Sequence, residues 1–302
     1  LDTSHTIVVI AGPTGVGKTD LALGLAERFH TSIISADSRQ CYREMNIGVA
    51  RPTAAELQRI PHYFIATHSV TEAVNAAIFT EEAQKAEKAC ADQNPVLVVG
   101  GTGLYIKAFT EGIDDIPPIS EAIRQTVREG YALGGLAWLQ AMVKEKDPVW
   151  YRDGEVQNPH RLMRALEVVE GTGASIRAFQ KGERAAPRQL IKIGLDLPRE
   201  QLYARIDQRV DRMMEAGLLE EVRGLLPHRA EKALDTVGYK ELFEYLDSRI
   251  PLQEAVALIK QHTRNYAKRQ LTWFRRDPEM AWFGPGEQVA VETYVRRRLD
   301  SF

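Results

Sequence analysis

The sequence predicts an α/β fold: a parallel sheet covered by helices, with an inserted all-helical domain and a helical C-terminal part. Three observations predict it. Four apolar, β-branched runs stand at residues 6–11, 32–36, 96–99 and 191–197, separated by helical patterns. Such runs are buried on both faces, which is the signature of strands in a parallel sheet. Between the third and fourth lie helix-like segments near 120–130, 134–145 and 159–170, and long helical patterns near 199–226, 238–248 and 251–276 follow the fourth.

The 302 residues suffice for one large domain, or for a core domain with a smaller one. Hydrophobic residues make up 44% and charged residues 26%, close to ordinary globular proportions, so low-complexity classes are excluded. No run of about 18 uncharged apolar residues occurs, which excludes a spanning helix. The opening Leu1-Asp2-Thr3-Ser4-His5 lacks the basic start and apolar run of a signal peptide, and its missing Met points to a trimmed chain. Two cysteines, Cys41 and Cys90, make no disulfide framework, and a cytoplasmic setting is expected. The net charge of −2 argues against a general nucleic-acid coat but allows a local basic surface. A monomer is the default for a self-contained two-domain enzyme.

The first strand, 6–11, runs into Gly12-Pro13-Thr14-Gly15-Val16-Gly17-Lys18-Thr19 and then a helix over 20–28. This fits G-x-x-x-x-G-K-[ST] in its proper strand–loop–helix setting. Glycines let successive N–H groups turn toward an anion, and the helix N-terminus adds partial positive charge. Lys18 adds a full charge, and the Thr19 hydroxyl suits Mg²⁺ or a phosphate oxygen. The chain is therefore expected to bind a polyphosphate or pyrophosphate ester.

In open α/β sheets ligands sit beyond the carboxyl ends of the strands. The second strand ends in Asp37-Ser38-Arg39-Gln40-Cys41-Tyr42-Arg43. Asp37 is placed for Mg²⁺ or for proton abstraction, the alternative being a turn-forming Asp. The third strand ends in Gly100-Gly101-Thr102-Gly103-Leu104-Tyr105. This reads as a second anion-cradling loop with the Thr102 hydroxyl as donor, or as a plain tight turn. Asp114-Asp115-Ile116-Pro117-Pro118 is a turn-rich break. It sets the expected domains: residues 1–115 with 188–302 as core, and 116–187 as helical insertion.

The third inserted helix opens with His160, Arg161 and Arg164, whose arginines are expected outward because Leu162, Ala165, Leu166 and Val169 form its apolar face. From Lys260 to Arg276 there are six basic residues and no acid, with Tyr266, Trp273 and Phe274 interleaved. On a helix, Arg264, Lys268, Thr272 and Arg275 share one face. Such a stripe can track phosphates while aromatics stack bases or pack the core, the alternative being a solvated basic face over a buried aromatic stripe. A short apolar run at 280–283 is expected as a last strand.

The set GPTGVGKT (12–19), DSRQCYR (37–43), GGTGLY (100–105), VGYKE (237–241) and KRQLTWFRR (268–276) resembles the tRNA dimethylallyltransferase, or tRNA isopentenyltransferase, family, in family order from about residue 6 to 284. The resemblance implies a P-loop kinase-like core whose inserted helical domain grips the tRNA anticodon stem. It implies transfer of a dimethylallyl group from dimethylallyl diphosphate to N6 of the adenosine 3′ to the anticodon, with Mg²⁺ assisting and pyrophosphate leaving. By this resemblance Asp37 is the general base and Thr102 a pyrophosphate-binding or amine-positioning hydroxyl. Gly12, Pro13, Thr14, Gly15, Val16, Gly17, Lys18 and Thr19 hold the diphosphate. Arg205 or Arg209 clamps it, Arg209 being favoured. The tRNA contacts fall on Asp37, Ser38, Arg39 and Gln40; on His160, Arg161 and Arg164; on Gly238, Tyr239 and Lys240; and on Lys268, Arg269, Gln270, Thr272, Trp273 and Arg275. The family's usual Ala-Ser is Gly15-Val16 here, Cys41 replaces an aliphatic residue, and 68–79 matches weakly. The rival reading is an ATP-dependent small-molecule or nucleotide kinase, which leaves the basic-aromatic helix and the Gly100 loop unexplained.

Overall fold

The computed structural model describes residues 6–112, 114, 116–179 and 189–301. By contacts the chain divides into two units, Leu1–Glu111 with Ala185–Phe302, and Gly112–Arg184. The boundaries expected from sequence touch residues 115, 187 and 188, which lie outside the described residues.

The first unit begins β1 (Thr6–Ala11), α1 (Lys18–Phe29), β2 (Ile33–Ser35), α2 (Ala54–Arg59), β3 (His62–Tyr63), α3 (Ala76–Ala89), β4 (Val96–Gly100) and α4 (Gly103–Glu111). The second unit carries α5 (Glu121–Lys146), α6 (Pro148–Asp153) and α7 (Pro159–Thr172). The first resumes with β5 (Gln189–Leu195), α8 (Arg199–Glu215), α9 (Leu218–Gly224), α10 (Tyr239–Leu246), α11 (Leu252–Phe274), β6 (Ala281–Phe283) and α12 (Gln288–Leu299).

The six strands pair in the order β3-β2-β4-β1-β5-β6, all parallel. β1 is central and all six of its residues are buried. Its side chains alternate between two cores: Ile7 and Val9 join Ile34, Val96 and Val98 on one face, while Val8 and Ile10 join Leu97, Ile191 and Ile193 on the other. That alternation is the two-residue period of a strand with helices on both sides. Register brings the strand ends together. Ala11 lies opposite Gly100, and Ser35 opposite Val99, so the loops after β1, β2 and β4 emerge side by side.

Three differences from the sequence reading have local causes. β3 was not foreseen, because two polar-tipped edge residues show no periodicity. β5 begins and ends two residues earlier than expected, since Pro198 starts the turn into α8. The pattern at 199–226 is two helices, broken where Gly217 adopts φ 97°.

In the second unit Ser120 caps α5, Asn158 caps α7, and Asp147 caps α6 through Trp150 N–H at 3.0 Å. The patterns at 120–130 and 134–145 form one helix with a break at Gly135, just inside the second of them. Leu139, Val143, Leu162, Leu166 and Trp150 form the core of this unit.

Candidate active site

The loops at the ends of β1, β2 and β4 form one wall of a cavity of about 870 Å³. α8, the 235–238 segment and α11 supply the rest. Eight basic side chains line it against four acidic ones, so the net −2 of the chain hides a positive interior surface.

The phosphate loop is built as its sequence requires. Gly17 caps α1 at φ 108°, a left-handed conformation that glycine adopts without steric cost. Val16 is buried, and its carbonyl accepts a hydrogen bond from Arg205 Nη1 at 3.2 Å. Lys18 Nζ donates to the carbonyls of Gly12 and Pro13 at 3.0 and 2.8 Å. Burial lowers its pKa to about 8, with Arg209 acting in the same direction and the Asp37 carboxylate opposing. The same carboxylate faces Arg209, whose pKa is lowered by burial. Lys18, Asp37 and Arg209 thus form one electrostatic cluster, assembled from three separate segments.

Asp37 follows β2 and closes a turn: Oδ1 accepts the N–H of Arg39 at 2.9 Å and of Gln40 at 3.4 Å. The turn-forming and site readings of Asp37 are therefore both realised, since the residue also lines the cavity. Gln40 accepts from Ser35 Oγ at 3.1 Å and donates to the carbonyls of Val49 and Ala50 at 3.3 and 3.1 Å. Thr102 Oγ1 accepts the N–H of Ser38 at 3.1 Å and lies beside the phenol of Tyr266. It braces the Asp37 turn from behind and is not among the cavity-lining residues.

The glycines of the 100–103 loop stand where other segments approach closely. A Cβ on Gly100 would collide with the Ala36 carbonyl, and one on Gly101 or Gly103 with the side chains of Gln270 or Trp273. Close approach of α11 and of the β2 backbone accounts for glycine at these positions, and Gly100 and Gly101 also line the cavity.

Two residues assigned to tRNA contact are buried. Tyr239 is fully buried, and its hydroxyl donates to Glu221 Oε1 at 2.6 Å. Gln270 is buried between the loops, accepting from Thr14 N–H and donating to Gly101 O, both at 2.9 Å. Aromatic bulk at the start of α10 and an amide facing inward from α11 meet protein first. Gly238 and Lys240, flanking Tyr239, do line the cavity, as do Ser38, Arg39, Gln40, and Arg269 and Gln270 of α11.

The outer face of α11 presents Lys268, Thr272, Trp273 and Arg275, all exposed. Arg275 pairs with Asp196 at 2.5 Å, and Arg264 with Asp207 at 2.6 Å, so part of the basic stripe is neutralised locally. In the second unit His160 and Arg161 are exposed on α7, while Arg164 is half-buried beside Glu167.

Sequence reasoning passed over Arg51, Arg212, Tyr266 and Met213 as cavity residues. Arg212 was legible: 205, 209 and 212 follow helical spacing. Arg51 carried no signal, because a long loop brings it in. Among the described residues no cluster of three His, Cys, Asp or Glu could hold a metal ion. Thr19 lines the cavity at the start of α1, as do the carboxylates of Asp20 and Asp37.

A cation-lined cavity at the carboxyl ends of a parallel sheet, entered by a phosphate loop and with the Asp37 carboxylate among its four acids, defines an α/β enzyme acting on a phosphate ester. Comparison with known proteins narrows the class. The family model described as IPP transferase matches residues 40–277, and the chain belongs to that family. It is 46% identical to tRNA dimethylallyltransferase 1 of Bacteroides thetaiotaomicron over 295 residues, covering 96% of this chain and 95% of that one. It is 42% identical to tRNA dimethylallyltransferase of Cytophaga hutchinsonii, with 97% of each covered. The crystal structure of tRNA isopentenylpyrophosphate transferase from Bacillus halodurans superposes with a TM-score of 0.73 at 33% identity, covering 98% and 97% of the two chains.

Proposed function

We propose that the protein transfers the dimethylallyl group of dimethylallyl diphosphate to N6 of the adenosine 3′ to the anticodon in tRNA, releasing pyrophosphate. The convergence of Lys18, Asp37 and Arg209 in one cavity carries this reading. It sets a carboxylate beside a polyphosphate site, as a reaction requires in which one group accepts a proton while another departs as an anion. The names of the relatives supply the two substrates.

In this scheme the N6 lone pair forms a bond to C1 of the donor. The C1–O bond breaks, and its electron pair leaves with pyrophosphate. Asp37 takes the N6 proton, an assistance worth roughly 10²–10⁴-fold. The loop amides, Lys18, Arg205 and Arg209 stabilise charge on the leaving group. The Asp37 turn and its Thr102 brace orient the acceptor amine. Mg²⁺ suits the residues present, since that ion keeps several waters and is held largely by substrate phosphates with few protein ligands rather than by an all-protein cage. Thr19 would hold it, and it would supply further neutralisation of the diphosphate.

The adenosine must leave its stack to reach the cavity, costing a few kcal/mol. Arg39, Arg269 and Lys240 in the cavity and Lys268 and Trp273 outside it are the proposed holders of the RNA in the first unit. His160, Arg161 and Arg164 of the second unit are the proposed contacts to the anticodon stem. Among the described residues no helix is long and apolar enough to cross a membrane. A cytoplasmic monomer is part of the proposal, because the RNA substrate is met there.

The kinase reading is not favoured, since the relatives are named as tRNA dimethylallyltransferases. The test is incubation with Mg²⁺, an unmodified anticodon stem-loop and either dimethylallyl diphosphate or ATP, followed by mass spectrometry of the RNA. Gain of one five-carbon unit with the prenyl donor alone is expected. ATP consumption without prenyl gain would overturn the proposal.

A further inference from the structure

A prenyl diphosphate needs cations at one end and an apolar lodging at the other. α8 offers both along one face. Arg205, Arg209 and Met213 stand at i, i+4 and i+8, which stacks them on one side of a helix, and all three line the cavity. Arg205 is tied to the phosphate loop at Val16. At about 1.5 Å rise per residue, Met213 lies about 12 Å further along the axis. That is comparable with the roughly 10 Å reach of an extended dimethylallyl diphosphate, built from bonds of about 1.5 Å. Val210, Leu218 and Ile259 line the same cavity and are buried, so its wall is apolar near Met213.

A second cavity, of about 930 Å³, adjoins this one. Ala50, Arg51, Pro52, Arg209, Arg212 and Met213 line both. Of these shared residues, Met213 alone combines an apolar character with a long, flexible side chain, and it is half-buried. The second cavity is also lined by Ile47, Leu57 and Ile65.

We propose that Met213 is the partition that ends the prenyl site at five carbons; the inference rests on the donor read above. A ten-carbon tail, following the same face of α8, meets the Met213 side chain before it reaches the second cavity. Removing that side chain joins the two spaces and leaves an apolar path toward Leu57.

The test is a competition in one vessel between dimethylallyl and geranyl diphosphate, with anticodon stem-loop RNA as acceptor. The ratio of ten-carbon to five-carbon product is read by mass spectrometry. This ratio is internal to each sample, so it does not depend on how much of a variant folds. Met213→Ala is expected to raise it at least about tenfold, the scale of discrimination by pocket size. Met213→Val is expected to raise it less. Met213→Ala combined with Leu57→Trp, which refills the second cavity, is expected to bring the ratio back toward wild type. A wild-type ratio in Met213→Ala, or a ratio that stays high in the double variant, overturns the partition. Absence of five-carbon transfer by the wild-type protein would instead overturn the donor reading itself.

Discussion

The buried side chain of Gln270, on α11, accepts the N–H of Thr14 at 2.9 Å. With its other end it donates to the Gly101 carbonyl at 2.9 Å. One amide therefore sets the spacing between the phosphate loop and the loop after β4. Gln270→Leu preserves bulk but leaves both backbone groups unpaired, at about 1–3 kcal/mol each. The expected result is a melting temperature several degrees lower, together with a raised KM for the prenyl diphosphate. Calorimetry and steady-state kinetics check both, and a variant unaltered in either would remove the bracing role.

Lys18 makes donor binding pH-dependent. Its pKa in the ligand-free protein is lowered to about 8, so its charge is lost as pH rises through that value. A bound diphosphate favours the protonated amine. Affinity should therefore be level below pH 8 and fall above it, by as much as tenfold per pH unit. Binding near pH 8 to 9 should also draw a proton from solution. Titration calorimetry in buffers of different ionisation enthalpy measures that uptake, and zero uptake at pH 8.5 contradicts the lowered pKa.

Asp37 has a turn-forming and a proposed proton-accepting role, and one substitution separates them. Asn retains an oxygen that accepts the Arg39 and Gln40 N–H groups, but it takes no proton. Asp37→Asn is expected to keep its melting temperature while single-turnover transfer falls roughly 10²–10⁴-fold. Asp37→Ala should lose both. Transfer by Asp37→Asn at near wild-type rate would rule out the base.

Tyr239 and Lys268 should behave oppositely. Tyr239→Phe removes a hydrogen bond to Glu221, whose carboxylate also accepts the N–H groups of Asn46, Ile47 and Gly48. Stability should fall by about 1–3 kcal/mol, with the salt dependence of tRNA binding unchanged. Lys268→Ala should leave stability intact and reduce the slope of log K against log salt by about 0.7–0.9, one phosphate contact. Denaturant unfolding and filter binding across a salt series distinguish the two. An altered slope in Tyr239→Phe would restore it as an RNA contact.

Most of the sheet was legible because β1, β2 and β4 are buried almost throughout and read as apolar runs, while β5 keeps enough buried apolar residues to be read despite Lys192. The phosphate loop was legible because its chemistry is local: glycines, a lysine and a hydroxyl within eight residues of one another. β3 was not, being two residues long. Nor were the inward turns of Tyr239 and Gln270, because motif and helical spacing do not tell which polar side chain is received by a neighbouring element.

By itself the sequence determined the parallel α/β core, the helical insertion and a glycine-rich loop of phosphate-binding pattern, since each rests on periodicity or on residues adjacent in the chain. Only the tertiary structure decided what surrounds that site. Lys18, Asp37 and Arg209 come from α1, the β2 loop and α8, and their mutual influence exists only once strand register has brought those segments together. The same holds for the glycines after β4, which read as an anion cradle in one dimension. In three they are the clearance that lets β2 and α11 pack against a loop, because steric contact between distant segments leaves no period in the sequence.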